Sequence, residues 1–200
     1  MGGGKYCKVC NISLTAFRSL EKRIKDGSCI LPDGLSRCLR DFYKNLNWSN
    51  FLKDMKENPR PWTLIHGDFH PGNVIWLPKD PICPVKIIDW EFAKVGCGPA
   101  ELAMFTWGVY DFAKHDMHTL VDLVRIYYDA LVKINPSIGS VYGQEDCLDD
   151  FAVCGMRSWM LRFPALMSTQ STWTDHFSRQ LETFRSMFGP PSHKISFPNI

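Results

Sequence analysis

No stretch of this chain is apolar for the 20 or so consecutive residues that a membrane-crossing helix needs, so no membrane role is expected. The opening Met1-Gly2-Gly3-Gly4-Lys5 has no charged region followed by an apolar core, the pattern of an export leader, and a cytoplasmic protein is expected. Nor does Met1-Gly2 start a myristoylation signal, because Tyr6 stands where Ser or Thr is needed. Gly2-Gly3-Gly4-Lys5 lacks the distant first glycine and the hydroxyl residue after Lys that a phosphate-binding loop requires. Excess charge is also missing: the formal net charge is +2 over 200 residues, which implies no nucleic-acid partner. Of the eight cysteines, only Cys7 and Cys10 form a Cys-x-x-Cys pair, with no second pair at zinc-ribbon spacing. In a chain without a leader the scattered thiols are expected to stay reduced. Internal repeats and low-complexity tracts are absent as well.

What is present is an ordinary globular composition, 45% apolar, enough for one compact domain. Helical spacing dominates. Leu14, Phe17, Leu20 and Ile24 predict a helix over 13–25 that Asp26-Gly27 stops, and Leu35, Leu39, Phe42 and Leu46 predict a second entered at Pro32-Asp33. A third is expected over 48–56. Further on, Pro99 suits a first helical position and Glu101 the positive end of a helix dipole. Met117–Ile134 follows as a helix closed by Asn135-Pro136, then a loop over 137–143. Two final helices are expected at 144–166, ended by Pro164, and at 172–188. Residues 1–10 and 189–200 read as tails around a domain spanning 11–188.

Two short stretches break the helical pattern. Leu64-Ile65-His66-Gly67-Asp68-Phe69-His70-Pro71-Gly72-Asn73-Val74-Ile75-Trp76 is answered by Val85-Lys86-Ile87-Ile88-Asp89-Trp90-Glu91. Their apolar runs are short, β-branched and bounded by Gly, Pro and Asp, which predicts buried strands. Pro78, Asp80 and Pro81 mark a turn between them, hence a hairpin. Ala93–Pro99, with Gly96-Cys97-Gly98, reads as a loop. The hairpin would gather Asp68, Asn73 and Asp89 at one end. Phosphoryl transfer needs a carboxylate beside the attacking hydroxyl and oxygen ligands that hold magnesium against the phosphates. An Asp, an Asn after four intervening residues and a later Asp supply those parts in kinases: Asp68 as base, Asn73 and Asp89 as metal ligands.

The segment His66-Gly67-Asp68-Phe69-His70-Pro71-Gly72-Asn73 with Ile88-Asp89-Trp90-Glu91 resembles the aminoglycoside phosphotransferase and choline-kinase group of small-molecule kinases. The resemblance implies an α+β, mainly helical fold, the C-terminal lobe of a protein-kinase-like architecture with a small β-hairpin at the catalytic site. It implies ATP (or another nucleoside triphosphate) and Mg2+ as cofactors, with Ile75 and Ile88 under the adenine, and a small hydroxylated molecule as acceptor. His66 is expected to brace the loop, His70 to lie near the phosphates, and Glu91 to brace the loop or ligate. Glu101 stands near where the family commonly has Asp.

Such kinases also carry an N-terminal β-rich lobe with a glycine loop and a phosphate-gripping Lys. No Gly-x-Gly-x-x-Gly and no strand with such a Lys precedes Asp68, so the N-terminal lobe is expected to be missing and activity alone to be poor. The apolar floor would then lie open, favouring self-association. Two other readings compete: a nucleotide- or partner-binding pseudokinase module without turnover, and a zinc metallohydrolase. The latter uses the alternation of His66, Asp68 and His70, joined by Asp89, and is opposed by Gly67, Pro71 and Gly72, which break strand geometry.

Overall fold

A computed structural model describes residues 3–46, 62–109 and 117–169. The chain divides into two compact units, residues 1–59 with 157–200 and residues 60–156. The helices expected over 48–56 and 172–188 and the tail over 189–200 lie outside the described residues.

The first unit is helical. α1 runs Gly3–Lys25 and α2 Asp33–Asn45. Helix α1 therefore begins about three turns ahead of its apolar stripe, taking in residues 3–10 that read as a tail. Its last turn carries Lys22, Arg23 and Lys25, cations placed at the negative end of the helix dipole. The chain leaves it through Gly27 at φ +77, a left-handed residue that glycine adopts without steric cost. Phe17, Leu20, Leu35, Leu39 and Tyr43 are buried, and the rings of Phe17 and Tyr43 stack at 4.3 Å.

The longest helix, α5, spans Gln144–Thr169; its first part belongs to the second unit and its last part to the first. Pro164 sits inside α5 and does not end it, contrary to the sequence expectation. A proline gives no N–H to the carbonyl four residues back, here Met160. The Tyr43 hydroxyl supplies the missing donor, at 2.9 Å from the Met160 oxygen, and lies 3.3 Å from that of Leu161. An external hydroxyl thus replaces the lost rung and lets the helix continue.

Among the described residues the second unit holds four strands: β1 Trp62–Ile65, β2 Val74–Trp76, β3 Val85–Ile87 and β4 Lys94–Cys97. They make two separate antiparallel ribbons, β1 with β4 and β2 with β3. The second ribbon is the expected hairpin, with Val74 opposite Ile87 and Trp76 opposite Val85. Its turn is shaped by Asp80, whose carboxylate accepts from the N–H groups of Ile82 and Cys83. The sequence predicts a loop over β4, from Gly96-Cys97-Gly98. It is a strand because β1 needs a partner, and Gly96 opposite Thr63 leaves the room that the Ile65 side chain occupies. The strands are largely exposed where buried ones were expected, since each ribbon has only two strands and open faces.

α3, Gly98–Val109, follows β4 directly, and α4 spans Met117–Ile134 as its periodicity predicts. A 3-10 turn at Pro136–Ser140 replaces the expected loop, started by the Asn135 side chain accepting from the Ser137 N–H. Leu120, Val124, Tyr142, Cys147 and Phe151 form this unit's core, and Gly155 of α5 lets that helix meet Ala103 of α3 closely. The observed class is α+β and mainly helical. No described helix is long and apolar enough to cross a membrane.

Removing the Tyr43 hydroxyl leaves the Met160 carbonyl buried without its donor, so Tyr43→Phe is expected to cost about 1–3 kcal/mol in urea unfolding. With Pro164→Ala in the background an N–H returns at that rung, and the cost of Tyr43→Phe should shrink markedly. Equal costs in the two backgrounds would refute the assigned role.

Candidate active site

Strand β1 ends at Ile65, and the chain then turns sharply rather than continuing extended. Gly67 stands at φ +85, and a Cβ there would strike the Phe92 carbonyl, so only glycine fits. The turn cancels the strand alternation of His66, Asp68 and His70. A 3-10 turn at Pro71–Asn73 follows, begun by His70, whose Nδ1 accepts from the Gly72 N–H at 3.1 Å. Pro71 suits the first position of such a turn because its missing donor has no partner there anyway.

Asn73 leads directly into β2 and is 7% exposed. Its amide nitrogen donates to the Asp68 carbonyl at 3.0 Å, and its own carbonyl accepts from the Ile88 N–H at 3.0 Å. One residue therefore fixes the catalytic-loop candidate on one side and the end of β3 on the other. Because the side-chain nitrogen is used, the amide oxygen is the atom left to face a cation. Asp89 follows Ile88 immediately, so the Asn73 bonds tie the Asp68 backbone to the residue that precedes Asp89 at the end of the β2–β3 ribbon.

Asp89 adopts φ +65, ψ +57, and it alone among the described non-glycine residues has a positive φ. A left-handed conformation costs an ordinary side chain of order 1 kcal/mol, less for Asp than for most. No side-chain hydrogen bond of Asp89 caps the 3-10 turn Trp90–Phe92 that it precedes. The backbone is thus bent at the residue whose carboxylate the kinase pattern assigns to metal.

His66 is 2% exposed and lies across the middle of this arrangement. Its Nδ1 accepts from the Asp68 N–H at 3.3 Å, so the proton sits on Nε2, which donates to the Ile88 carbonyl at 2.7 Å. Both ring nitrogens are committed to backbone, which leaves neither for a metal. Trp90 packs on the imidazole at 4.8 Å and its indole N–H donates to the Ile87 carbonyl. Phe69, on the other side, stacks on Phe105 of α3 at 4.7 Å.

Asp68 and His70 approach one another, Oδ2 to Nε2, at 3.6 Å, both partly open to solvent. Glu91 lies exposed in the turn after Asp89. Ile75 and Ile88 are exposed, as are Leu64, Trp76 and Val95 on the two ribbons and Phe92 in the turn before β4.

The sequence places Glu101 at a helix start, near where the resembled family commonly has Asp. In the structure its two carboxylate oxygens accept from the consecutive N–H groups of His66 and Gly67. A carboxylate clamping two adjacent amides holds the loop from α3, and such charge-assisted bonds are about twice as strong as neutral ones. The signal was legible in part: an acidic residue just after Gly98-Pro99, close behind the second motif. Its distant backbone partners were not.

Residues 34–128 match the family described as "Phosphotransferase enzyme family". Among curated proteins the chain is similar to "Acyl-CoA dehydrogenase family member 11" of Pongo abelii, 30% identical over 90 residues that cover 38% of this chain and 11% of that protein. It is also similar to the protein of the same name from Homo sapiens, 36% identical over 56 residues, 28% of this chain and 7% of that one. The chain thus spans about a tenth or less of the length of these relatives. No solved structure matches.

The bent backbone at position 89 generates a test that needs no ligand. Asp89→Gly should be more stable than Asp89→Ala by about 1 kcal/mol, because glycine alone escapes the left-handed penalty. Thermal and urea unfolding of the two variants would measure it; a more stable Ala variant would refute the strain.

Proposed function

From the match of residues 34–128 to the phosphotransferase enzyme family, we propose that this chain is the catalytic lobe of a small-molecule kinase, the C-terminal half of a protein-kinase-like fold, moving the γ-phosphate of ATP to a hydroxyl of a small molecule. The observation that carries the proposal is the double tether of Asn73, to the Asp68 carbonyl and to the Ile88 N–H. It ties the Asp68 backbone to the ribbon end that Asp89 follows, which supports reading Asp68, Asn73 and Asp89 as one oxygen-rich donor set that suits magnesium.

In this reading Asp68 accepts or orients the proton of the acceptor hydroxyl, and His70 beside it keeps that carboxylate near the phosphates. Asn73 and Asp89 hold magnesium, which when bound neutralises charge on the phosphates. Ile75 and Ile88 offer the apolar surface for the adenine, and Glu91 braces the turn after Asp89. His66 and Glu101 act through the backbone: the imidazole joins Asp68 to Ile88, and the Glu101 carboxylate keeps the loop from peeling away from α3.

The exposed apolar side chains on the ribbons support a second part of the reading, that an N-terminal β-rich lobe covers them in the active enzyme. Without that lobe and its phosphate-gripping Lys, the chain turns over slowly, because transition-state charge is only partly neutralised. A pseudokinase module that binds nucleotide or a partner without turnover is the competing reading. The zinc metallohydrolase is disfavoured by His66, whose ring nitrogens are both spent on backbone.

Magnesium-dependent loss of ATP with a panel of hydroxylated acceptors decides between them. Asp68→Ala should lower the rate by roughly 100- to 10,000-fold when the chain is joined to its complementary lobe. Equal rates for the two proteins would leave only the binding module. Light scattering on the 200-residue chain is expected to show concentration-dependent association that Trp76→Lys and Val95→Lys reduce; a clean monomer at high concentration would count against the open floor.

A further inference from the structure

Away from the ribbon end, the second unit buries a set of groups that phosphoryl transfer does not use. Cys97 is the last residue of β4. Asp150 and Cys154 lie four apart on α5, hence on one face of that helix. One ligand-capable atom from each, two sulfurs and a carboxylate oxygen, lie within 4.8 Å of one another. We propose that Cys97, Asp150 and Cys154 form a structural zinc site that pins the end of β4 to α5.

Two observations favour a cation over a mere polar cluster. The spacing fits: tetrahedral zinc, with sulfur at about 2.3 Å and oxygen at about 2.1 Å, separates such a pair of ligands by roughly 3.6 Å. Cys154 Sγ and Asp150 Oδ1 are 3.8 Å apart. The carboxylate is also oriented from behind: Asp150, 3% exposed, accepts at its other oxygen from the Tyr142 hydroxyl at 2.8 Å. A ligating carboxylate held by a hydrogen-bonding neighbour is the usual outer arrangement of a zinc site.

Two soft thiolates and one carboxylate select zinc over magnesium. On binding, the zinc ion displaces one proton from each thiol to solvent, and the carboxylate joins without proton loss. A water oxygen completes the tetrahedron. Binding therefore weakens as pH falls. Cys97 and Cys154 are free thiols in the structure, not a disulfide. The site would serve the catalytic loop indirectly. Cys97 directly precedes α3, whose Glu101 clamps His66 and Gly67, so fixing the strand end fixes the clamp.

Cobalt(II) and zinc titration of the reduced chain tests this, with amide hydrogen exchange as a second readout. One equivalent of cobalt should give thiolate-to-metal charge-transfer absorption, and zinc should displace it. Zinc should raise the melting temperature, protect Cys97 and Cys154 from alkylation in mild denaturant, and slow exchange at Gly67. Cys154→Ser should abolish the absorption, Tyr142→Phe should weaken binding roughly tenfold, and the double variant Cys7→Ser, Cys10→Ser should change nothing. The alkylation result is read on the unaltered chain and so survives a variant that fails to fold. Absence of stoichiometric binding, alkylation unaffected by zinc, or absorption lost only in the Cys7 and Cys10 variant would overturn the site. None of these measurements depends on phosphotransferase activity.

Discussion

The second unit turns on Asn73, whose side chain and backbone bond in opposite directions. Its amide reaches back to the Asp68 carbonyl and its carbonyl receives the Ile88 N–H. A ribbon of three residues per strand has little stability of its own. What fixes its end is a buried polar residue satisfied from both sides, with the neutral His66 imidazole running a second tie between Asp68 and Ile88. In a low-dielectric setting such connected bonds reinforce one another, and a member left unmatched is costly. The loop is held by backbone bonds from several elements.

Conformational cost collects around the same place. Gly67 and Asp89 both stand at positive φ, one where no side chain fits and one where a carboxylate is present. Backbone strain of this kind persists when the surroundings over-determine it, and here they do: Glu101 holds the first turn, while Trp90 packs against His66 beside the second. The arrangement suits a site that must present its groups before a ligand arrives, since preorganised donors need no rearrangement during reaction.

Much of this was legible in the residues, for identifiable reasons. The α4 boundaries could be read because Leu120, Val124 and their neighbours repeat at helical spacing until Asn135-Pro136 interrupts them. The β2–β3 hairpin could be read because Asp80 and two prolines punctuate two apolar runs. Asp68, Asn73 and Asp89 stood out as a spaced set, though spacing alone says nothing of the bonds that join them. The misreadings were all tertiary. Gly96 argued for a loop until Ile65 was seen to fill the space beside it. Glu101 looked like a dipole partner because its true partners lie more than thirty residues back. Exposed strands were read as buried because local sequence records apolarity and not what covers it.

The proline at 164 carries a consequence for how this chain can vary through descent. A hydroxyl on another helix stands in for the donor that proline lacks, so positions 43 and 164 share one requirement. Among homologous chains, a phenylalanine at the former should travel with a residue other than proline at the latter. The two should be inherited as a couple although 120 or so residues of chain lie between them.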